Sequence, residues 1–317
     1  MNPMTFDLRP LQFEFLAKQS VHFPIGKASN VVRSALGVTL RQISCVPECR
    51  DAKACALSGD CIYARLFEPT GDGSGPSGLM DRPRPFVIRA SKLDGCTISE
   101  GETFQLGVHL FELHPHIPLH LIRAFARLAQ YGLGPRHGAV ELRRVWIGDA
   151  NGEAAQELFA GGRIQQPQQL PVLSILLTSG EAKASRIRVE FRTPTELKGD
   201  GAVAGQPPPF QLLMARIRDR VSNLRLLYGN GPLSIDFAEF GNEAAKVAIL
   251  EAELRHAGTQ RFSVRSGQSH SIGGILGKVT YAGELSRFVP FLRAARWTGV
   301  GKHTVWGNGE RSHEIAK

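Results

Sequence analysis

Residues Gly273–Gly309 read GGILGKVTYAGELSRFVPFLRAARWTGVGKHTVWGNG, and the fold turns on this stretch. Gly274–Gly283 has the composition of a strand, Glu284–Arg296 that of a short helix, and Thr304–Ser312 that of a last strand. Between helix and last strand, glycines at 299, 301, 307 and 309 give G-x-G-x5-G-x-G. Glycine lets the backbone adopt positive φ and lets a phosphate approach main-chain N–H groups closely. Lys302 adds a point charge inside the loop. A dinucleotide fingerprint sits instead between a strand and the helix that follows it.

Outward from this loop the second half completes a pattern. Arg186–Thr193 (RIRVEFRT) alternates as a strand, and the turn-rich Gly199–Pro209 leads into a long helix, Phe210–Tyr228. Asn242–His256 reads as an inserted helix, and Arg261–Arg265 as a strand. The first half has the same order. Leu11–Ser20 alternates, Ser29–Gln42 has helical spacing, Arg84–Ala90 and Glu102–Leu113 read as strands, His116–Tyr131 as a helix, and Ala139–Ile147 as a strand. Gly71–Gly78 reads as an exposed loop. The order β-α-β-β-α-β, twice, predicts an α+β chain of two tandem ferredoxin-like domains. The expected division is residues 1–150, a linker with a hairpin at 151–185, and a second domain at 186–317. The repeat is one of element order, without residue-level identity between the halves.

Lys and Arg total 38 against 29 Asp and Glu, a formal net charge of +9 and a sequence pI of about 9.6. That balance favours a polyanionic partner, nucleic acid or an acidic membrane surface. The N-terminus MNPMTFDLRPLQFEF lacks the pattern of a signal peptide, and no apolar run approaches the ~20 residues of a membrane span. The expectation is a cytoplasmic protein with no membrane partner. Four of the five cysteines, Cys45, Cys49, Cys55 and Cys61, make a Cys-rich insertion at 45–61 in the first domain, spaced C-x3-C-x5-C-x5-C. Clustered thiols in a reducing compartment more often ligate a metal than form disulfides. Zinc or an iron–sulfur cluster, in a structural role, is the candidate; unligated loop cysteines are the alternative.

The segment Gly273–Gly309 resembles the C-terminal domain of the CRISPR pre-crRNA-processing endoribonucleases of the RAMP superfamily, which ends in such a glycine-rich loop after a short helix. FRTPTELKG (Phe191–Gly199) and RFSVRSGQ (Arg261–Gln268) fit the same family. VVRSALGVTLRQISC resembles its first helix, and C-x5-C-I-Y-A-R-L-F-E-P the cysteine segment of one branch. Asn308 stands where an apolar residue is common, and Glu310 where a basic one is. The resemblance implies RRM/RAMP-type domains that bind CRISPR repeat RNA and the mature crRNA, and other subunits of a CRISPR effector complex as partners. It implies cleavage without a catalytic cofactor. The ribose 2′-hydroxyl attacks the adjacent phosphate, giving a 2′,3′-cyclic phosphate and a 5′-hydroxyl.

Such a reaction needs a general base, a general acid and a cation for the crowded phosphorane. Histidine is the usual acid–base residue, and the chain has ten. His303, beside Lys302 in the loop, and His22, between first strand and first helix, are the catalytic candidates, with Lys302 as the cation. His270 is a weaker candidate, and the cluster His114, His116 and His120 reads as an ordinary helix start. For RNA binding the candidates are Gly299, Gly301, Gly307, Gly309, Lys27, Arg33, Arg261, Arg265 and Gln268. Arg216, Arg218, Arg220 and Arg225 decorate one helix, as a phosphate-tracking stripe or as a solubilising face. Two other readings stand beside the nuclease. One is a guide-RNA-binding RAMP subunit that does not cut, the other an iron–sulfur redox protein.

Overall fold

The structure, a computed structural model, describes residues 3–46, 48–52, 54–70, 82–128, 131–165, 167–178, 183–199, 206–262 and 269–316. The chain divides into two compact units, Asp7–Leu173 and Met1–Phe6 with Ser174–Lys317.

The first unit is built on β1 (Thr5–Ala17), β2 (Val21–His22), α1 (Ala28–Ser44), α2 (Ile62–Phe67), β3 (Phe86–Arg89), β4 (Thr97–Ile98), β5 (Thr103–Leu110), α3 (Ile117–Arg127) and β6 (Val140–Gly148). Alternation along β1 buries Phe13 and Phe15 while Gln12 and Glu14 stay partly exposed. Phe125 of α3 meets both rings, with centroids 4.4 and 5.8 Å away. Pro118 falls in the first turn of α3, where its missing N–H costs nothing. Val32, Leu36 and Leu40 give α1 its buried stripe. Truncating a ring such as Phe125 to alanine costs about 3–5 kcal/mol. The sheet order β3-β5-β1-β6 is antiparallel throughout, with Phe13 opposite Leu106 and Leu11 opposite Ile147. That is the split βαββαβ arrangement. The stretch after β6 forms a hairpin, β7 (Ala154–Ala160) and β8 (Arg163–Ile164), that extends this sheet. β9 (Leu173–Leu176) follows it.

The second unit repeats the order with β10 (Arg186–Thr195), α4 (Phe210–Tyr228), α5 (Phe237–Ala245), β11 (Ala248–Phe262), β12 (Ser269–Ala282), α6 (Val289–Thr298) and β13 (Arg311–Ala316). Its sheet, β11-β12-β10-β13, has the same split connectivity. Ile187, Val189 and Phe191 of β10 lie buried with Leu213, Ile217 and Val221 of α4 and Leu292 of α6. Arg225, 9% exposed at the end of α4, donates from Nε to the Thr5 carbonyl at 2.8 Å and from its terminal nitrogen to the carbonyls of Gly231 and Pro232. The Leu177 N–H reaches the Met4 carbonyl at 2.8 Å. Both contacts hold the first residues of the chain in this unit.

Two sequence expectations give way here. The helix expected over Asn242–His256 stops at Ala245, and 248 onward is β11, the first strand of a long hairpin with β12. Asp236 caps the true helix, accepting from the N–H groups of Ala238 and Glu239. The last strand begins at Arg311 rather than Thr304, because Thr304–Trp306 is a single 3-10 turn. The loop expected over Gly71–Gly78 lies outside the described residues.

Candidate RNA-processing site around the glycine-rich loop

α6 ends at Gly299, whose φ of +69 turns the chain out of the helix. The loop that follows is pinned to the end of β10. The Lys302 N–H donates to the Glu196 carbonyl at 3.0 Å, and the Gly309 N–H to the Pro194 carbonyl at 3.1 Å. The Thr193 hydroxyl donates to the Gly307 carbonyl at 2.8 Å and accepts from the Glu310 N–H at 2.8 Å. Val300 N–H to the Gly309 carbonyl, 3.1 Å, closes the loop on itself. A Cβ at Gly301 would collide with the Glu196 carbonyl, and one at Gly309 with that of Val300; both residues also have positive φ.

This corrects the expected role of the glycines. The N–H groups of Gly299, Gly307 and Gly309 are donated to Ala295, Thr304 and Pro194 within the chain, so these three do not form an amide cradle open to phosphate. Close approach of the loop to β10 accounts for the glycines.

What the loop presents is side chains. His303 sits at φ +60, a left-handed conformation that few non-glycine residues adopt, and its carbonyl accepts from the N–H groups of Trp306 and Asn308. Its ring lies on the indole of Trp306, centroids 4.4 Å apart and planes 6° from parallel. Lys302 Nζ is 2.6 Å from Glu196 Oε1. Burial works against the Lys302 charge, but hydrogen bonds with Glu196 and Lys198 more than offset it and its pKa is raised. The hydrogen bond and the charge of Lys302 hold the Lys198 pKa below the usual lysine range. Glu196, Lys198 and Lys302 thus form one contiguous group. Sequence reading passed over Glu196 and Lys198, although both lie in the segment FRTPTELKG.

The other candidates lie elsewhere. His22 is exposed on β2 in the first unit, its Nδ1 3.0 Å from the Thr97 hydroxyl. Lys27 is exposed at the start of α1, where the Ala28 N–H is already capped by Asp94 Oδ1 at 2.9 Å. Arg33 places its guanidinium over the Phe67 ring, 5.3 Å from the centroid. Arg261 pairs with His270 across the β11–β12 hairpin, but no side chain is described there. Arg265 and Gln268 lie outside the described residues. The arginines of α4 do not form a free phosphate stripe. Arg216 and Arg218 pair with Asp219 at 3.6 and 2.7 Å, Arg220 donates to the Thr298 carbonyl at 2.9 Å, and Arg225 is tied as above.

The four clustered thiols touch one another. Cys45 hydrogen-bonds with Cys49 and Cys61, and Cys49 with Cys55. Burial first, then the neighbouring thiols, pushes Cys45 up to about 12. Arg41 braces the excursion, donating to the carbonyls of Cys49 and Arg50 at 3.4 and 3.0 Å. Among the described residues, no group of three or more His, Cys, Asp or Glu side chains is arranged to hold a metal ion, the thiols and His114, His116 and His120 included.

Two family models match the chain. The AF_1859_N model, described as an N-terminal domain, covers residues 6–171, and the model described as CRISPR-associated endoribonuclease Cas6 covers residues 189–311. No curated protein matches the sequence. Among solved structures, a Cas6 product complex is 16% identical with a TM-score of 0.57, the match covering 97% of this chain and all (100%) of the other. Thermus thermophilus Cas6 is 14% identical with a TM-score of 0.53, covering 98% and 99%. A partial Cas6-RT-Cas1–Cas2 complex is 12% identical with a TM-score of 0.58, covering 100% of this chain and 47% of that one. At such identities the likeness is one of fold: paired ferredoxin-like domains. The chain belongs to the family of the AF_1859_N N-terminal domain, and its residues 189–311 match the Cas6 model.

Proposed function

We propose that the chain is an endoribonuclease that cuts CRISPR repeat RNA by 2′-hydroxyl attack and retains the mature crRNA. The observation that carries this reading is the side-chain set at the glycine-rich loop, within the span that matches the Cas6 description: His303 fixed against Trp306, and Lys302, its neighbour in sequence, grouped with Glu196 and Lys198. In this reading His303 moves a proton at the attacking or leaving oxygen, and Lys302 balances the charge on the phosphorane. His22 is the acid–base candidate of the first unit. Lys27, Arg33, Arg261, Arg265 and Gln268 contact RNA backbone. No metal ion takes part in the cleavage step. Known Cas6 structures include a product complex and an assembly with Cas1 and Cas2, which supports RNA and other CRISPR proteins as partners here.

The test is incubation of the protein with repeat RNA in EDTA. Cleavage that persists in EDTA, and stops when the single 2′-hydroxyl upstream of the cut is replaced by hydrogen, is the expected result. Loss of cleavage in EDTA, or its survival on the 2′-deoxy substrate, would overturn the mechanism.

The cysteines are proposed as a structural site for zinc or an iron–sulfur cluster. Mutual contact of four thiols supports it, since a soft cation would replace S–H hydrogen bonds with thiolate bonds. As thiols they are not set out as a closed ligand cage. The protein's own step is to deprotonate and draw them together.

A further inference from the structure

β10 ends at Thr195, and the residues that follow it, Glu196, Leu197 and Lys198, meet the glycine-rich loop. Gly301 packs against the Glu196 carbonyl and the Leu197 side chain. Lys302, next in the loop, is tied to Glu196 twice, by its N–H to the carbonyl at 3.0 Å and by Nζ to Oε1 at 2.6 Å. The Lys302 side chain in turn hydrogen-bonds with that of Lys198, which is exposed. Carboxylate, first lysine and second lysine thus stand in line. Glu196 is the one carboxylate acting on either lysine among the described residues. Arg216 of α4 comes near Gly199, one residue past Lys198, and is paired with Asp219 at 3.6 Å. His303, one residue past Lys302, lies against Trp306.

An ammonium has three donors and no acceptor, so two ammonium groups cannot hydrogen-bond to each other. One of the two nitrogens must offer a lone pair. Burial disfavours the Lys302 charge, yet with Glu196 at 2.6 Å and Lys198 in contact its pKa is raised, and the proton stays there. The hydrogen bond from Lys302, then its charge, lowers the Lys198 pKa, so Lys198 is the nitrogen that loses its proton first. Once it has done so the group is balanced, with one carboxylate, one ammonium and one amine. A phosphodiester changes that balance. Its oxygens give each lysine an acceptor in place of the nitrogen–nitrogen contact, and its negative charge makes a second ammonium favourable. The proton comes from the solvent and goes to the Lys198 nitrogen, and no bond to phosphorus changes in this step. We propose that Lys198 and Lys302 form a two-lysine clamp for one RNA phosphodiester, and that the clamp takes up a proton as the phosphate arrives. This rests on the reading of the chain as an RNA-binding protein.

The test uses the full chain and a short oligoadenylate with 2′-O-methyl riboses, which cannot be cut and whose bases hold no proton that titrates in the alkaline range. Binding is followed by calorimetry in two buffers of different ionisation enthalpy, in steps from about pH 7.5 to about 9.5, below the usual lysine range. Phosphate raises the Lys198 pKa from its lowered value in the free protein. Between the two values affinity should fall as the pH rises, by at most about tenfold per pH unit, with uptake approaching one proton. Below both values there is no uptake. Lys198→Arg should bind about as tightly as wild type at the low end of the series and take up no extra proton, because guanidinium keeps its charge throughout. Lys198→Ala should also lose the uptake, and with it about 10-fold in affinity. Lys198 is exposed, so neither substitution disturbs the core. Equal uptake in wild type and Lys198→Arg, or none in wild type, would overturn the proton-coupled clamp while leaving RNA binding intact. An oligoadenylate that binds none of the three proteins would overturn the RNA-binding reading as well. Inorganic phosphate that draws the same proton as tightly as the oligoadenylate would overturn RNA as the occupant.

Discussion

The imidazole of His303 lies parallel to the indole of Trp306, 4.4 Å between centroids, on a backbone held at φ +60. A flexible loop histidine would carry neither constraint. His303→Ala should keep near-normal RNA affinity while cleavage falls by roughly 10²–10⁴-fold. Single-turnover rates on repeat RNA for this variant and His22→Ala decide which unit supplies the acid–base residue. Full cleavage in both would move the chemistry to the lysines and backbone.

Gly301→Val places a branched side chain against the Glu196 carbonyl at a positive φ. The loop then cannot seat on β10. RNA affinity and thermal stability should fall together, the latter by about 1–3 kcal/mol. A variant that loses affinity at unchanged melting temperature would return the glycine to a direct role with phosphate.

Glu196 offsets the Lys302 charge at 2.6 Å. Glu196→Gln should therefore tighten RNA binding and steepen its salt dependence, whereas Lys302→Ala should weaken it and flatten the slope. The ion pair is one-third exposed on each side, so its own loss costs stability only about 0.2–1 kcal/mol. Binding isotherms for the two variants at matched salt check the opposite signs.

Burial, then Arg311, Arg293 and Arg296, lowers the His313 pKa from 6.5 to about 4. Between these values the unfolded chain binds the proton and the folded chain does not, so stability is full above pH ~6.5 and falls as the pH drops toward ~4. The change is on the order of 3 kcal/mol across the window. Urea melts of wild type and His313→Asn at pH 7 and pH 4.5 should show a smaller pH difference in the variant.

Elemental analysis of protein purified without oxygen should find zinc or iron, and Cys55→Ser should lower its content and the melting temperature before specific activity. Metal-free wild-type protein of undiminished stability would leave the cysteines as plain thiols.

The doubled βαββαβ order is legible in sequence because period-two burial of Phe13 and Phe15, or of Ile187 and Val189, differs so plainly from the helical spacing of Val32, Leu36 and Leu40. Asn242–His256 misleads because Ala, Glu and Leu favour helix in isolation, while β11 is held by its ladder with β12. Glycine spacing marks where the backbone comes close to something. It does not say whether that neighbour is a phosphate or, as for Gly301, the carbonyl of Glu196. Charge is equally mute about place. Arg220 and Arg225 spend theirs on carbonyls, and Arg293, Arg296 and His313 become a group only once β13 lies beside α6.

The bond from Arg225 to the Thr5 carbonyl ties the start of β1 to the end of α4. Cutting between Leu173 and Ser174 would not yield a self-sufficient C-terminal fragment, because its guanidinium would lose an acceptor some 220 residues upstream. During synthesis Thr5 leaves the ribosome 220 residues ahead of Arg225, so its carbonyl must wait for that partner.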